Sequence, residues 1–111
     1  MELQKPPLEI KYSARALADL NEIAAYISKD SRKAALSMHD RIREKVSILA
    51  EFPGRGKPVD ESPHRERGTR YAAEGKYYIF YRVDAELLKI IHVRHSARKP
   101  VTARELFESE E

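Results

Sequence analysis

The residues of this chain best suited to chemistry lie in one short segment, IIHVRHSAR, at positions 90–98. The segment continues a β-branched apolar run into two histidines and two arginines, namely His92, Arg94, His95 and Arg98. An imidazole changes its charge near neutral pH and can pass a proton, and guanidinium groups bind anions through charge-assisted hydrogen bonds. The segment is therefore a candidate acid–base site or a cationic recognition surface at the end of a strand.

Metal chemistry has little support in the sequence. His92 and His95 stand three apart on a predicted strand, so their side chains point to opposite faces and cannot share a compact metal site. His39 has no carboxylate or imidazole four residues before or after it, and the chain contains no cysteine. We expect no metal ion and no cofactor.

Two predicted helices precede this strand. Ser13 is a candidate cap for a helix over residues 14–29, and Asp30 or Ser31 can cap a second helix, which the Phe-Pro-Gly sequence at 52–54 ends. Apolar residues recur at helical spacing along both segments and give each helix one buried face. They are Ala16, Leu20, Ile23, Ala24 and Ile27 in the first helix and Ala35, Met38, Ile42, Val46 and Leu49 in the second. Because the helices are separated by only a residue or two, we expect an antiparallel hairpin.

Strands flank the two helices. Residues 8–12 alternate apolar and polar side chains, as a strand with one buried face does. Three further strands are predicted over residues 69–73, 76–83 and 87–95, with Glu74-Gly75 connecting the first two as a β-hairpin. On the last strand, alternation predicts that His92 and Arg94 share a polar face that points away from the helices, whereas Ile91 and Val93 occupy the other face.

These elements predict an α+β fold in the order β-α-α-β-β-β. An antiparallel sheet would be covered on one face by the helical hairpin, because the hairpin cannot bury both apolar stripes alone. The 111 residues are enough for one modest core. We therefore expect a single domain over residues 1–111, with an arm at residues 1–7 and a C-terminal tail at residues 100–111.

Positive charge is concentrated in the second half of the chain. Residues 1–52 carry 9 Lys or Arg against 8 Asp or Glu, residues 53–104 carry 12 against 6, and residues 105–111 carry none against 4. The predicted loop at 53–68 is part of this basic half. Such a distribution suits an anionic partner, either nucleic acid or an acidic protein segment. No apolar run resembles a signal peptide or a membrane span, so we expect a cytoplasmic protein.

The strand sequence KYYIFYRV at 76–83 permits two interpretations. Its aromatic residues are Tyr77, Tyr78, Phe80 and Tyr81. Such a row can stack nucleic-acid bases, as aromatic side chains on the sheets of RNA-binding proteins do. It can also supply the large side chains that a central strand of a small sheet offers to its core. The sequence alone favours the core.

Three segments, taken with the order of elements, resemble the RelE/ParE superfamily of type II toxin–antitoxin toxins. They are YSARALADLNEIAAYI at 12–27, FPGRGKPV at 52–59, and the pair YYIFYRV and IIHVRHSAR. The similarity spans roughly residues 8 to 99. FPGRG followed by a final HVRHSAR is more similar to the ParE branch than to the RelE branch.

The resemblance implies two different activities. RelE-type toxins are ribosome-dependent ribonucleases that cut messenger RNA in the ribosomal A site. ParE-type toxins bind DNA gyrase and trap its cleaved DNA complex, which blocks replication. They catalyse no reaction themselves, and they are linked with plasmid stabilisation. Both kinds are neutralised by a cognate antitoxin whose extended segment wraps the toxin.

The residues at the strand end favour the ParE branch. RNA cleavage by the 2′-oxygen needs a proton acceptor, a proton donor and cations for the phosphorane. The RelE branch tends to carry a functional tyrosine a few residues after its basic cluster, but this chain has KPVT at 99–102 and no tyrosine after Tyr81. If the chain were nevertheless a nuclease, the catalytic candidates would be Arg70, Arg82, His92 and Arg98.

Binding residues are expected at two places. For a gyrase inhibitor, the resemblance places target contacts at the end of the last strand, on Arg94, His95, Ser96, Arg98 and Lys99. An antitoxin, ParD-like or similar, is expected to bring acidic groups to Arg55, Lys57 and Arg70. It would dock a helix or strand on the helical hairpin and an open sheet edge. Each of these side chains has the alternative role of keeping a sheet edge or loop soluble.

Overall fold

The computed structural model describes residues 6–60, 62 and 64–97, and within them the order of elements is β-α-α-β-α-β-β-β. The helices are α1 (Ala14–Ser28), α2 (Arg32–Glu51) and the single-turn α3 (His64–Arg67); a 3₁₀ turn, Pro53–Arg55, follows α2. The strands are β1 (Glu9–Tyr12), β2 (Lys57–Pro58), β3 (Arg70–Glu74), β4 (Tyr77–Asp84) and β5 (Leu87–His95). They form one sheet in the order β1-β5-β4-β3-β2.

The predicted α+β fold is confirmed, with two differences in the sheet. The sheet is not antiparallel throughout, because β1 lies parallel to β5. Parallel neighbours need a long connection, and here three helices and three strands separate the pair. Alternation of apolar residues does not specify strand direction. The predicted loop at 53–68 also contains β2 and α3, which are too short to show a periodic pattern.

Both predicted helix caps are present. The Ser13 side chain accepts a hydrogen bond from the Ala16 amide at 3.0 Å, and the Ser31 side chain accepts one from the Ala34 amide at 3.1 Å. Each cap satisfies an amide that has no partner within its helix. These local bonds explain why both helices begin where the sequence predicts.

No helix in the described part of the chain is both long and apolar enough to cross a bilayer.

The turn between β3 and β4 differs from the prediction by one residue. Glu74 pairs with Tyr77, so Gly75 and Lys76 form the two-residue connection. Gly75 has φ of 58°, a left-handed conformation that glycine adopts without a steric cost. The hairpin is therefore predictable from its glycine, although its register is not.

The core lies mainly between the sheet and the helical hairpin. Residues that are buried there come from both layers: Ala16, Ile42, Val46, Leu49, Ala50, Tyr77, Ile79, Tyr81, Leu88, Ile90 and Val93. A second, smaller cluster on the other face of the sheet contains Phe80 and Ile91, with Val59 and Tyr71 packed against it.

A β-bulge in β5 changes the faces predicted for that strand. Phe80 pairs with His92 and Tyr81 pairs with Ile90, which leaves Ile91 as an extra residue. A bulge breaks the two-residue alternation locally, so Ile91 packs with Phe80 on the face away from the helices, and only Val93 packs towards them. The prediction that Ile91 and Val93 share a face is therefore wrong.

Candidate functional site

A buried carboxylate joins α1 to the second half of β5. Asp19, which is 5% exposed, accepts a hydrogen bond from the Val93 amide at 3.0 Å and contacts Nδ1 of His92 through the same oxygen. Its other oxygen accepts a hydrogen bond from Nε of Arg15 at 3.0 Å. One side chain therefore connects the strand backbone, an imidazole and a guanidinium group.

Asp19 occupies this position because β1 is shorter than β5. The pairing of β1 with β5 ends at Tyr12 and Ile90, so the outer edge of β5 beyond Ile90 needs other hydrogen-bond partners. Ser13 supplies two of them, since its amide donates to the Ile90 carbonyl at 2.9 Å and its hydroxyl donates to the Ile91 carbonyl at 2.7 Å. The Asp19 carboxylate then accepts a hydrogen bond from the Val93 amide. Asp19 was not predicted as a functional or buried residue. Its position three residues after Ala16 puts it on the apolar face of α1, and a carboxylate on such a face indicates a buried polar contact.

His92 lies on the sheet face that the sequence predicts, but it is not exposed there. It pairs with Phe80, and Arg94 pairs with Tyr78, so both side chains are on the face away from the helices. The His92 ring is nevertheless only 3% exposed and contacts α1 through Asp19 at the free edge of β5. Its ring also stacks on Phe80, with centroids 6.1 Å apart. The bulge and the short β1 together bring the ring to the sheet edge, so His92 has a structural role there.

An open cleft of about 730 Å³ lies between α1 and the end of β5. Arg94 and His95 line it and are both partly exposed. The His95 ring meets the edge of Tyr77, with centroids 5.1 Å apart, and its Nδ1 accepts a hydrogen bond from the Ala97 amide at 2.9 Å. The described target-binding candidates, Arg94, His95 and the exposed Ser96, are thus neighbours at one end of the sheet. Arg98 and Lys99 lie outside the described residues.

The FPGRG segment is held by two side chains from the sheet. The Tyr81 hydroxyl accepts a hydrogen bond from the Gly56 amide at 2.9 Å and donates one to the Pro53 carbonyl at 2.6 Å. Nη1 of Arg70 donates to the Gly56 carbonyl at 2.7 Å. The motif is therefore a packed turn against β3 and β4, and Arg70 helps to hold it.

The remaining predicted cations lie apart from one another. Arg55 is exposed and stacks over the Phe52 ring at 4.6 Å, and Lys57 is exposed on the edge strand β2. Arg82 is partly exposed on β4, on the sheet face opposite that of Arg70. Of the predicted nuclease set, the structure therefore does not bring Arg70, Arg82 and His92 together.

No cluster of three histidine or acidic side chains suited to a metal ion occurs among residues 6–60, 62 and 64–97. The Asp19 carboxylate and the His92 imidazole already contact each other. The arrangement at the sheet edge therefore stabilises the junction of helix and strand. Arg94 and His95 lie beside it and are partly exposed.

Burial raises the pKa of Tyr81, although the Gly56 amide and the Arg70 guanidinium act in the opposite direction. A phenol whose pKa is higher in the folded protein than in the unfolded chain stabilises the fold while it stays protonated. This contribution is present below the unfolded pKa of about 10 and is lost as the pH rises through the folded value. We expect the wild type to lose more unfolding free energy above pH ~10 than Tyr81→Phe does, as measured by urea unfolding at several pH values. The exposed control Tyr78→Phe should follow the wild type; parallel curves for wild type and Tyr81→Phe would contradict the prediction.

Comparison with known proteins gives a consistent result. The family described as "ParE toxin of type II toxin-antitoxin system, parDE" matches residues 10–100. A Sinorhizobium fredii protein named "Putative toxin Y4kP" is 40% identical over 85 residues, which cover 75% of this chain and 85% of that protein. Toxin RelE2 of Caulobacter vibrioides is 36% identical over 90 residues, which cover 81% of this chain and 97% of that protein.

Solved structures share the fold. The chromosomal ParDE toxin–antitoxin system of P. aeruginosa contains a chain that superposes with a TM-score of 0.66 at 22% identity, covering 79% of this chain and 95% of that chain. The RelBE2 toxin–antitoxin complex of Mycobacterium tuberculosis contains a second, with a TM-score of 0.59 at 22% identity, covering 81% of this chain and 99% of that chain.

Proposed function

Because this chain belongs to the ParE toxin family of type II toxin–antitoxin systems, we propose that it inhibits DNA gyrase and so blocks replication, and that a cognate antitoxin neutralises it. The family match covers nearly all of the described fold, including the strand end at which Arg94 and His95 are partly exposed. The toxin acts by binding, and no proton transfer by its own side chains is required.

The burial of His92 is the observation that supports this proposal over a nuclease. A general acid or base must come within hydrogen-bond reach of the proton it moves. His92 is 3% exposed, and its Nδ1 contacts the Asp19 carboxylate. Arg70 donates to the Gly56 carbonyl, so it too has a structural partner. Two of the four nuclease candidates are thus engaged in the fold.

The proposed target surface is the end of β5. Arg94, His95 and Ser96 lie there on the described chain, and Arg98 and Lys99 follow in sequence. A cationic strand end that faces solvent can approach an anionic surface without unfolding any part of the sheet. Charges at such a rim act mainly on the rate and the specificity of association.

The proposed partner is a ParD-like antitoxin with an acidic segment. Both solved neighbours come from toxin–antitoxin systems. On this chain, Arg55 stacked on the exposed ring of Phe52 offers the combination of a cation and an aromatic ring that is enriched at protein interfaces. Lys57 lies two residues further along.

A supercoiling assay with purified gyrase tests the proposal. The wild-type toxin should inhibit supercoiling and accumulate cleaved DNA, whereas Arg98→Ala should inhibit much less. Arg41→Ala, an exposed arginine on α2, serves as the matched control and should inhibit as the wild type does. Normal supercoiling in the presence of excess wild-type toxin would contradict the proposal.

A ribosome-dependent ribonuclease is the second candidate, because one relative carries the name Toxin RelE2. The same protein preparations should be added to translating ribosomes. Cleavage of messenger RNA there, together with normal gyrase activity, would replace gyrase inhibition by this second function.

A further inference from the structure

The face of the sheet away from α1 and α2 carries two tyrosines that gyrase inhibition does not use. Tyr71 on β3 and Tyr78 on β4 meet edge to face, with centroids 5.7 Å apart at 78°. Tyr78 is 37% exposed, and Tyr71 is half-buried against Phe80. Phe80 and His92 lie deeper on the same face, so Tyr78 is the ring that offers a surface for stacking.

The strand register places cations around this pair. Lys57 lies opposite Tyr71 on β2, and Arg94 lies opposite Tyr78 on β5. Arg82 lies opposite Lys89, and Lys89 lies opposite Lys11 of β1. Because paired residues project to the same side of a sheet, all five cations share the face with the tyrosines.

Carboxylates on this face are fewer than the cations. Among the described strand residues on it, they are Glu9 on β1 and Asp84 on β4, and Asp84 already binds Lys89 at 3.1 Å. The face is therefore cationic. Its exposed ring, Tyr78, lies opposite Arg94 and contacts Tyr71, which in turn lies opposite Lys57. This combination fits a polyanion that also carries flat, unpaired rings.

We propose that this face binds single-stranded nucleic acid, with a base stacked on Tyr78 and phosphates near Lys57, Arg82 and Arg94. Stacking on an aromatic side chain accepts any base, and cations along the backbone supply affinity that depends on salt. A duplex presents its phosphates but keeps its bases stacked and paired inside the helix, so its bases cannot stack on Tyr78. Binding requires no gyrase and can therefore be measured separately from the proposed inhibition, although Arg94 belongs to both surfaces.

Fluorescence polarisation with labelled oligothymidylate and oligouridylate, in the absence of gyrase, tests the proposal. We expect similar affinity for both strands, because neither stacking nor phosphate contact needs the 2′-hydroxyl. Tyr78→Ala should weaken binding by about tenfold, whereas Tyr78→Phe, which keeps the ring, should bind as the wild type does. The control Tyr26→Ala removes a tyrosine that is 73% exposed on α1 and should leave affinity unchanged.

A charge reversal tests the cationic part of the same face. Lys57→Glu should weaken binding and reduce the dependence on salt, whereas Lys33→Glu, an equal change at an exposed position on α2, should have a much smaller effect. Tighter binding to duplex than to single strands, unchanged affinity in Tyr78→Ala, or an equal loss in Tyr26→Ala would each overturn the proposal. Failure of gyrase inhibition would leave these binding curves unaffected, so the two proposals can fail separately.

Discussion

Replacing Gly56 by alanine is expected to lower the free energy of unfolding by about 3–5 kcal/mol, the sum of overpacking and disrupted hydrogen bonds. A methyl group at this position would lie 2.2 Å from the Tyr81 hydroxyl oxygen and 2.8 Å from the Tyr71 carbonyl oxygen. The Tyr71 backbone is paired on both sides, to Lys57 and to Phe80, and cannot withdraw. Tyr81 would have to move, which would break its bonds to the Gly56 amide and the Pro53 carbonyl.

Gly54→Ala is the matched control for this change. It introduces the same methyl group two residues earlier in the same turn, where no atom lies within 4 Å. We expect a change of less than ~0.5 kcal/mol, as for an ordinary surface substitution. Urea unfolding of both variants measures the difference; equal stability of Gly56→Ala and Gly54→Ala would show that the turn is not packed against Tyr81 as described.

Removing the Asp19 carboxylate is the second change with a large expected effect. Asp19→Ala should cost about 3–5 kcal/mol, as the loss of one partner from a buried polar cluster does. The Val93 amide and the His92 ring would lose their acceptor, and Arg15 would lose its ion pair. Because small domains are stable by only about 5–15 kcal/mol, Asp19→Ala should unfold at much lower urea concentrations.

Asp40→Ala and Asp19→Asn separate the causes of that loss. Asp40 is also on a helix, but its side chain is 82% exposed, so its removal should change stability by less than ~0.5 kcal/mol. Asp19→Asn retains an oxygen that can accept from the Val93 amide but removes the charge, and it should lie between the wild type and Asp19→Ala. If Asp19→Ala unfolds at the same urea concentration as Asp40→Ala, the carboxylate does not join α1 to β5.

Two residues that the sequence predicts to be functional belong to these two structural features. Arg70, a predicted antitoxin-binding or nuclease residue, helps to hold the packed turn. His92, a predicted catalytic residue, belongs to the Asp19 cluster. The structure therefore directs functional experiments to Arg94, His95 and the residues after them, and to the sheet face around Tyr78.

The parts of the fold that depend on near neighbours were predictable from the sequence. Ser13 and Ser31 bond to amides three residues away, and the helical spacing of apolar residues depends only on the geometry of one helix. The last strand was predicted with its observed bounds, Leu87–His95. The resemblance to the ParE branch rested on short segments of the same kind, and the family match confirms it.

The roles of the polar side chains were decided only by the tertiary structure. Asp19 and His92 are 73 residues apart in sequence, and no periodic pattern records that they meet. Their contact follows from where β1 ends, from the bulge at Ile91, and from α1 passing the free edge of β5. The sequence by itself determined α1 and α2, the order of most elements and the family. Strand direction, register and the burial of individual polar groups depend on contacts between distant segments, which are made only when the sheet and the helical hairpin pack together.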